Sequence, residues 1–123
     1  MNLVDSSGWL EYFADGPQSR FFAPPLEDVK NLVVPSICIF EVFKKILQQR
    51  TEDAALRAVS LMQQAMVIPL DVSISLLAAK LSYEHKLPMA DSIILATARH
   101  SRAILWTKDT DFKGLENVKL IEK

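Results

Sequence analysis

The 123-residue sequence predicts one α/β domain, residues 1–123, with a mostly parallel sheet covered on both faces by helices. Short apolar runs alternate with longer segments of helical spacing, which is the pattern of parallel strands joined by helical crossovers. Half of the residues are hydrophobic and 24% are charged, an ordinary balance for a globular protein. The length allows a buried core but leaves no room for a second domain.

The first half of the sequence predicts two strands, two regular helices and one irregular segment. Asn2–Val4 is a short apolar strand, and a helix pattern runs from about Ser7 to Ala14 before a Gly-Pro pair interrupts it. Residues 15–31 are the least regular segment, and we expect a short helix and a surface loop there. Leu32–Val34 is the second strand. Ser36 is then a candidate N-cap for a helix that extends to about Gln49.

The second half continues the same alternation of helices and strands. Helical spacing of apolar residues and capping signals mark three helices, and short apolar runs mark three strands. In chain order these are helix Glu52–Met66, strand Val67–Leu70, a helix capped by Asp71 and ending near His85, helix Ala90–Ser101, strand Ala103–Trp106 and strand Val118–Ile121.

Charge and cysteine content narrow the class of protein. The formal net charge of −1 argues against a strongly basic nucleic-acid binder, but it leaves RNA open as a substrate because local patches matter more than the sum. The single cysteine, Cys38, lies in an apolar run and is predicted to be a buried thiol. We see no signal peptide and no apolar run of the ~18–20 residues that a membrane span needs. We therefore expect a cytoplasmic protein with no membrane association.

Acidic residues follow two of the predicted strands. In open parallel sheets, ligands bind beyond the carboxyl ends of the strands, near the point where the strand order reverses. Asp5 directly follows the first strand, and Asp109 comes shortly after the fourth. Each has a simpler interpretation. Asp5 could be a helix N-cap, unless one of the two serines after it caps instead, and Asp109 or Asp111 could cap a short helix in a polar turn.

Two further acids lie in the early turns of predicted helices. Glu41 is surrounded by apolar residues, and glutamate is rarely buried unless it is paired or bound to a metal. Alternatively, it faces solvent or pairs with Lys44 or Lys45. Asp91 lies in the first turn of its helix, where the helix dipole favours an acid even without a function.

The joint placement of the four acids, Asp5, Glu41, Asp91 and Asp109, predicts one acidic metal-binding pocket. Carboxylate oxygens are hard ligands that suit Mg²⁺ or Mn²⁺. The set contains no histidine, which makes zinc a poorer choice. We hypothesise that Asp5, Asp91 and Asp109 hold the main ion, while Glu41 orients water or helps to hold a second ion.

Four blocks of the sequence resemble a PIN domain, and the resemblance covers essentially the whole chain. The two later blocks are fairly specific. In order, the blocks are Asn2-Leu3-Val4-Asp5-Ser6-Ser7, Val34-Pro35-Ser36 leading to Glu41, Leu87–Ala98 and Leu105–Phe112. The length and single-domain form are most similar to the VapC-type toxins of prokaryotic toxin–antitoxin pairs.

This resemblance implies a three-layer α/β/α sandwich and a Mg²⁺- or Mn²⁺-dependent endoribonuclease. It also implies a homodimer, and a small antitoxin protein that inhibits the enzyme. Its acidic catalytic and metal-binding roles fall on the four acids named above. Supporting roles fall on Ser6 and Thr107 as hydroxyls, with Asp111 as a second-rank acid.

Five basic residues are candidates for holding the RNA backbone, although a solvated helix face is the expected place of at least two of them. They are Lys44, Lys45, Arg99, Arg102 and Lys108. PIN domains often carry an asparagine where Lys108 stands, and an arginine soon after the acid that matches Glu41. Because the lysines found here keep or add positive charge, these departures bear on the target RNA more than on the chemistry.

The sequence is compatible with two other functions. One is a PIN-like binding module with a catalytically silent site that acts through a protein partner, which the presence of all four acids disfavours. The other is a phospho-acceptor signalling domain. That design needs neighbouring acids after its first strand and an acceptor after its third, whereas Asp5 stands alone and Asp71 opens directly into a helix.

Overall fold

The structure is a computed structural model that describes residues 1–122, and in this range a five-stranded sheet is flanked by six helices. The strands are β1 Asn2–Val4, β2 Leu32–Pro35, β3 Met66–Ile68, β4 Ile104–Thr107 and β5 Val118–Leu120. The helices are α1 Ser6–Phe13, α2 Ser19–Glu27, α3 Ser36–Gln49, α4 Glu52–Met62, α5 Val72–His85 and α6 Met89–His100. Within residues 1–122, none of these helices combines the length and the apolar character that a membrane crossing requires.

All strand pairs are parallel, and the strand order is β3-β2-β1-β4-β5, which confirms the predicted α/β fold. The chain moves outward from β1 through β2 to β3 and then returns to β4 on the other side of β1. Right-handed crossovers therefore place α1 to α4 on one face of the sheet and α5 and α6 on the other. The strand order reverses between the neighbours β1 and β4, so a crevice is expected at their carboxyl ends.

The core lies on both faces of the sheet. Leu3 and Leu105, which are register partners on β1 and β4, are fully buried, as is Val34 on β2.

Helix α1 approaches the sheet closely because Gly8 has no side chain. A Cβ at Gly8 would overlap the side chains of Val4 and Phe22. The glycine thus determines how near the start of α1 lies to the end of β1.

One predicted helix end is wrong by four residues. Helix α4 ends at Met62 instead of Met66, and β3 begins at Met66 instead of Val67. Met62 and Met66 have helical spacing, which extended the predicted helix. In the structure Met66 is the register partner of Val33 on β2, so strand pairing removes it from the helix.

The irregular segment contains more helix than expected. Helix α2 includes Pro24 and Pro25, which lack the backbone N–H that a helix interior needs. Burial of Phe22 and Leu26 in the core supplies packing that compensates for the missing hydrogen bonds. The prediction that Ser36 caps α3 is wrong, since Ser36 is the first residue of α3 and Pro35 occupies the N-cap position. The other element ends differ by two residues or fewer.

Candidate metal centre

Asp5 lies at the carboxyl end of β1 and is only 4% exposed. Its Oδ1 accepts hydrogen bonds from the Gly8 N–H at 3.1 Å and from Ser7 Oγ at 2.7 Å, and its Oδ2 accepts one from Thr107 Oγ1 at 2.7 Å. Of the two interpretations of Asp5, the helix cap is confirmed and the alternative of a serine cap is excluded, because Asp5 itself is the N-cap of α1. One carboxylate therefore caps the helix with one oxygen and faces β4 with the other.

Thr107 connects the ends of the two central strands. It is fully buried at the end of β4, where it donates to Asp5 and accepts the Asp109 N–H at 2.9 Å. The backbone continues the link, since the Asp5 N–H donates to the Trp106 carbonyl at 3.2 Å. Asp5 and Asp109 are thereby held at neighbouring strand ends.

Replacing Thr107 with Val should reduce both stability and cleavage activity. Valine has nearly the same shape but leaves a buried oxygen of Asp5 and the Asp109 N–H without this partner. Leaving such groups unsatisfied costs roughly 1–3 kcal/mol, which denaturant unfolding of the wild type and the variant would measure. Thr107→Ser keeps the hydroxyl and should recover most of the loss. Equal stability of Thr107→Val and wild type would contradict this role of the hydroxyl.

Asp91, Asp109 and Asp111 form the tightest acidic group that the described residues contain, with one carboxylate oxygen of each within 4.8 Å of the others. Asp91 lies in the first turn of α6. Asp109 caps the short 3₁₀ turn Thr110–Phe112 by accepting the Asp111 N–H at 2.9 Å. Asp111 is therefore not the cap, and its own carboxylate joins the acidic group.

Burial and the charges of neighbouring carboxylates raise the pKa values of Asp91 and Asp5. Burial, followed by the charge of Asp109 and by the hydrogen bond and charge of Asp111, raises the pKa of Asp91 to about 8. Burial also raises the pKa of Asp5, against the hydrogen bonds from Thr107, Ser7 and Gly8. A cation in the group would offset the repulsion and favour the ionised carboxylates.

Glu41 lies half-buried on α3, and its Oε1 accepts a hydrogen bond from Ser6 Oγ at 2.6 Å. The structure thus gives Glu41 a hydroxyl partner at the start of α1. Asp5 and Ser6 are consecutive residues. The start of α1 therefore contributes one acid, Asp5, and orients a second acid, Glu41 of α3, through the Ser6 hydroxyl.

The four acids predicted from the sequence all line one open cleft of about 430 Å³. Of the five basic candidates, Lys44 and Lys45 line it as well. Phe40 and Gln48, which the sequence reasoning did not single out, line the cleft from the same helix. Positions 40, 44 and 48 are spaced by four residues and so share one face of α3, which is the signal that could have identified them.

The other three basic candidates are not brought to the cleft. Lys108 donates to Glu11 Oε1 at 2.8 Å and lines a neighbouring groove. Arg99 lies in the last turn of α6, and Arg102 follows that helix, beside the start of β4. Because α6 rises 1.5 Å per residue, Arg99 is about 12 Å along the axis from Asp91.

The donor chemistry of the cleft fits a hard divalent cation. Asp91, Asp109 and Asp111 supply carboxylate oxygens, and Asp5 interacts electrostatically with both Asp91 and Asp109. Such all-oxygen sets suit Mg²⁺ or Mn²⁺ better than zinc.

Fold and site together define a parallel α/β domain with an acidic pocket at the switch point of its sheet. A profile of the PIN domain matches residues 3–117, and the chain belongs to the PIN-domain family.

Solved structures with the same fold include toxin–antitoxin proteins. A chain of a toxin–antitoxin complex from Klebsiella pneumoniae is 27% identical, with both chains covered completely and a TM-score of 0.84. A chain of VapBC2 from Rickettsia felis, bound to a DNA fragment from their promoter, is 15% identical over 98% of this chain and 97% of that chain, with a TM-score of 0.76. Mycobacterium tuberculosis VapC20, a sarcin–ricin loop cleaving toxin, is 14% identical over 94% and 95%, with a TM-score of 0.78. A comparison with curated proteins finds no match.

Proposed function

We propose that this chain is a metal-dependent endoribonuclease that acts in the cytoplasm as the toxin of a toxin–antitoxin pair. The observation that carries the proposal is the convergence of Asp5, Glu41, Asp91 and Asp109 on one cleft of a PIN-domain fold. The chain of the toxin–antitoxin complex from Klebsiella pneumoniae, which matches this chain over the whole of both and has the same fold, supports the toxin role.

Asp5, Asp91 and Asp109 would hold the main Mg²⁺ or Mn²⁺ ion, and Asp111 is close enough to share it. When bound, a divalent ion polarises the phosphate and makes water a better nucleophile at neutral pH. Asp5 needs to be rigid for this role, and its three hydrogen-bond donors provide that rigidity.

The remaining groups act on the water and on the RNA. Hydrolysis forms a bond between a water oxygen and phosphorus and breaks a phosphorus–oxygen bond to the neighbouring nucleotide. Glu41, whose Oε1 accepts a hydrogen bond from Ser6, would align the water and accept its proton. Lys44 and Lys45 line the same cleft and would neutralise the phosphates on either side of the cleaved bond.

Cleavage of an unstructured RNA by the purified chain tests this proposal. We expect fragments in the presence of Mg²⁺ or Mn²⁺ and intact RNA in excess chelator, because the acids alone cannot neutralise the phosphate. A catalytically silent binding module would leave the RNA intact under both conditions, and that result would overturn the nuclease assignment.

Expression of the chain alone should arrest the growth of a bacterial host, since an unrestrained endoribonuclease removes essential RNA. Co-expression of the cognate antitoxin should restore growth, and Asp5→Asn should abolish the arrest at equal protein levels. Growth curves with immunoblots would measure this. Harmless accumulation of a wild-type protein that cleaves RNA in vitro would count against the toxin role and leave the nuclease chemistry standing.

A groove of about 500 Å³ beside the acidic cleft suits the antitoxin partner. Its apolar part includes Phe13 and Leu61, and Arg50 and Arg57 add positive charge. It shares Ser7, Leu10 and Lys45 with the cleft. We propose that an amphipathic, partly acidic antitoxin segment lies here, because such an occupant would reach the mouth of the cleft and exclude RNA.

We also propose that the toxin is a homodimer that pairs through α5. This helix buries Ile74 and Leu81 on one side, yet Val72 (76%), Leu76 (66%) and Tyr83 (88%) are exposed on the other. Contiguous apolar side chains that are exposed on a protein surface often mark a contact with another protein. The exposed residues are spaced by four and seven positions, so they form one stripe that a second copy can cover.

Leu76→Lys should convert the dimer to a monomer, because it places a charge in the middle of this apolar stripe. Sedimentation velocity of the wild type and the variant at matched concentrations would measure the change. Leu56→Lys, at an exposed leucine on α4, is the matched control and should remain dimeric. Equal masses for the wild type and Leu76→Lys would show that α5 is not the interface.

A further inference from the structure

Phe40 is an exposed aromatic residue that lines the acidic cleft. It is 63% exposed, although it sits on α3 beside a helix face that is anchored in the core by Cys38 and Val42. Its neighbour in sequence, Glu41, extends into the same cleft toward Ser6. The ring is therefore held at the rim of the cleft, next to the acids, without being used for packing.

A cation accompanies the ring. Lys44 Nζ is 5.8 Å from the centroid of Phe40, near the outer limit of a cation–π contact, so the lysine holds the ring only weakly. Gln48 lies one turn further along the same face. The three side chains form a track of about 12 Å along α3, since eight residues rise 1.5 Å each. Its components are a ring, an ammonium and an amide.

This combination matches the chemistry of a single nucleic-acid strand. Aromatic rings bind unpaired bases by stacking, while ammonium groups bind the phosphates between them. A base in a duplex has both faces covered by its neighbours and cannot offer one to a ring at a rim. A track of this length spans about two to four nucleotides at the ~3.4 Å spacing of stacked bases.

We propose that Phe40 is a stacking platform for an unpaired nucleobase next to the cleaved phosphate, with Lys44 on the adjoining phosphate. The proposal rests on the nuclease function above and narrows its substrate to unpaired RNA segments. Phe40 is thus a positioning residue that sets which phosphate enters the acidic group.

The test compares Phe40→Leu with Phe40→Trp on a single-stranded RNA that carries 2-aminopurine. Leucine keeps an apolar side chain but has no ring, whereas tryptophan keeps a ring for stacking. Loss of one base–aromatic stack should weaken binding about 5- to 150-fold. We expect Phe40→Leu to raise KM by this factor with little change in kcat and to lose the change in 2-aminopurine fluorescence that accompanies binding to the wild type. Phe40→Trp should retain both.

Leu47→Ala removes an exposed apolar side chain from the same helix outside the cleft and should behave as wild type. Binding is read in the Asp91→Asn background, which keeps the RNA intact. If wild type cleaves RNA and Phe40→Leu has the same KM and the same change in 2-aminopurine fluorescence as wild type, the stacking role is overturned and the nuclease stands. If Phe40→Leu changes only the sedimentation mass, the ring is a protein contact and the proposal is also overturned. If wild type neither binds nor cleaves RNA, both proposals fall.

Discussion

Asp91→Asn should reduce divalent-ion-dependent RNA cleavage by at least about a hundredfold. Loss of a group that only supports a metal ligand already costs 10- to 100-fold in activity or affinity, and Asp91 belongs to the acidic group itself. An amide keeps the shape of the side chain but removes the charge that binds a hard cation. Initial rates on a single-stranded RNA at saturating Mn²⁺ would measure the loss.

The matched control is Asp53→Asn. Asp53 is also a first-turn acid, on α4, but it is exposed and does not line the cleft. Its variant should cleave at the wild-type rate. Wild-type activity in Asp91→Asn, with protein free of contaminating nuclease, would remove Asp91 from the site.

Asp109→Asn should lose more activity than Asp111→Asn, although both acids belong to the tight group. Asp109 lines the cleft and is held by Thr107, whereas Asp111 is exposed. Rates of the two variants under the same conditions decide the order. The reverse ranking would make Asp111 the main ligand.

Mn²⁺ or Mg²⁺ should raise the melting temperature of the wild type by roughly 10 °C at a free concentration one hundred times its dissociation constant. An ion that binds the folded pocket but not the separated acids of the unfolded chain stabilises the fold by about 2.7 kcal/mol under that condition. For a domain of this size, each kcal/mol corresponds to several degrees. Thermal melts with chelator and with metal measure the shift, which Asp91→Asn should reduce strongly.

The metal-free protein should lose stability as the pH rises from about 4 to about 8. In that window the folded chain keeps the proton on Asp91, whose pKa is raised from 3.8 to about 8, while the unfolded chain releases it. The folded state then binds more protons than the unfolded state, so the free energy of unfolding falls with pH. Asp91→Asn should flatten this slope and, in chelator at pH 8, melt at or above the wild-type temperature.

The effect of metal should show the opposite trend. Ionised carboxylates bind the cation, so the stabilisation by metal should grow with pH up to about 8. A metal pocket that contains Asp91 would be contradicted by either of two results. One is a melting temperature of the wild type that metal does not change. The other is a shift in Asp91→Asn as large as the shift in the wild type.

Much of the fold could be predicted because its signals are local. Alternating short apolar runs and helical spacing depend on neighbouring residues, and they correctly indicated a parallel α/β sheet. The cap of α5 at Asp71 was also local and is confirmed, with the Ile74 N–H donating to its carboxylate. Met66 was misassigned because its pairing with Val33 involves a residue far away in the chain.

The sequence by itself determined that acids follow the first and fourth strands and open two helices, and parallel-sheet geometry then predicted that they meet. Only the tertiary structure decided how they meet. Thr107 reaches Asp5 across 102 residues and Ser6 reaches Glu41 across 35, so neither contact has a local signal. The direction of α6 carries Arg99 away from the cleft, while the packing of α3 leaves Phe40 exposed at its rim. Which groups lie within reach of one another depends on how whole elements pack, and residue type and spacing along the chain do not contain that information.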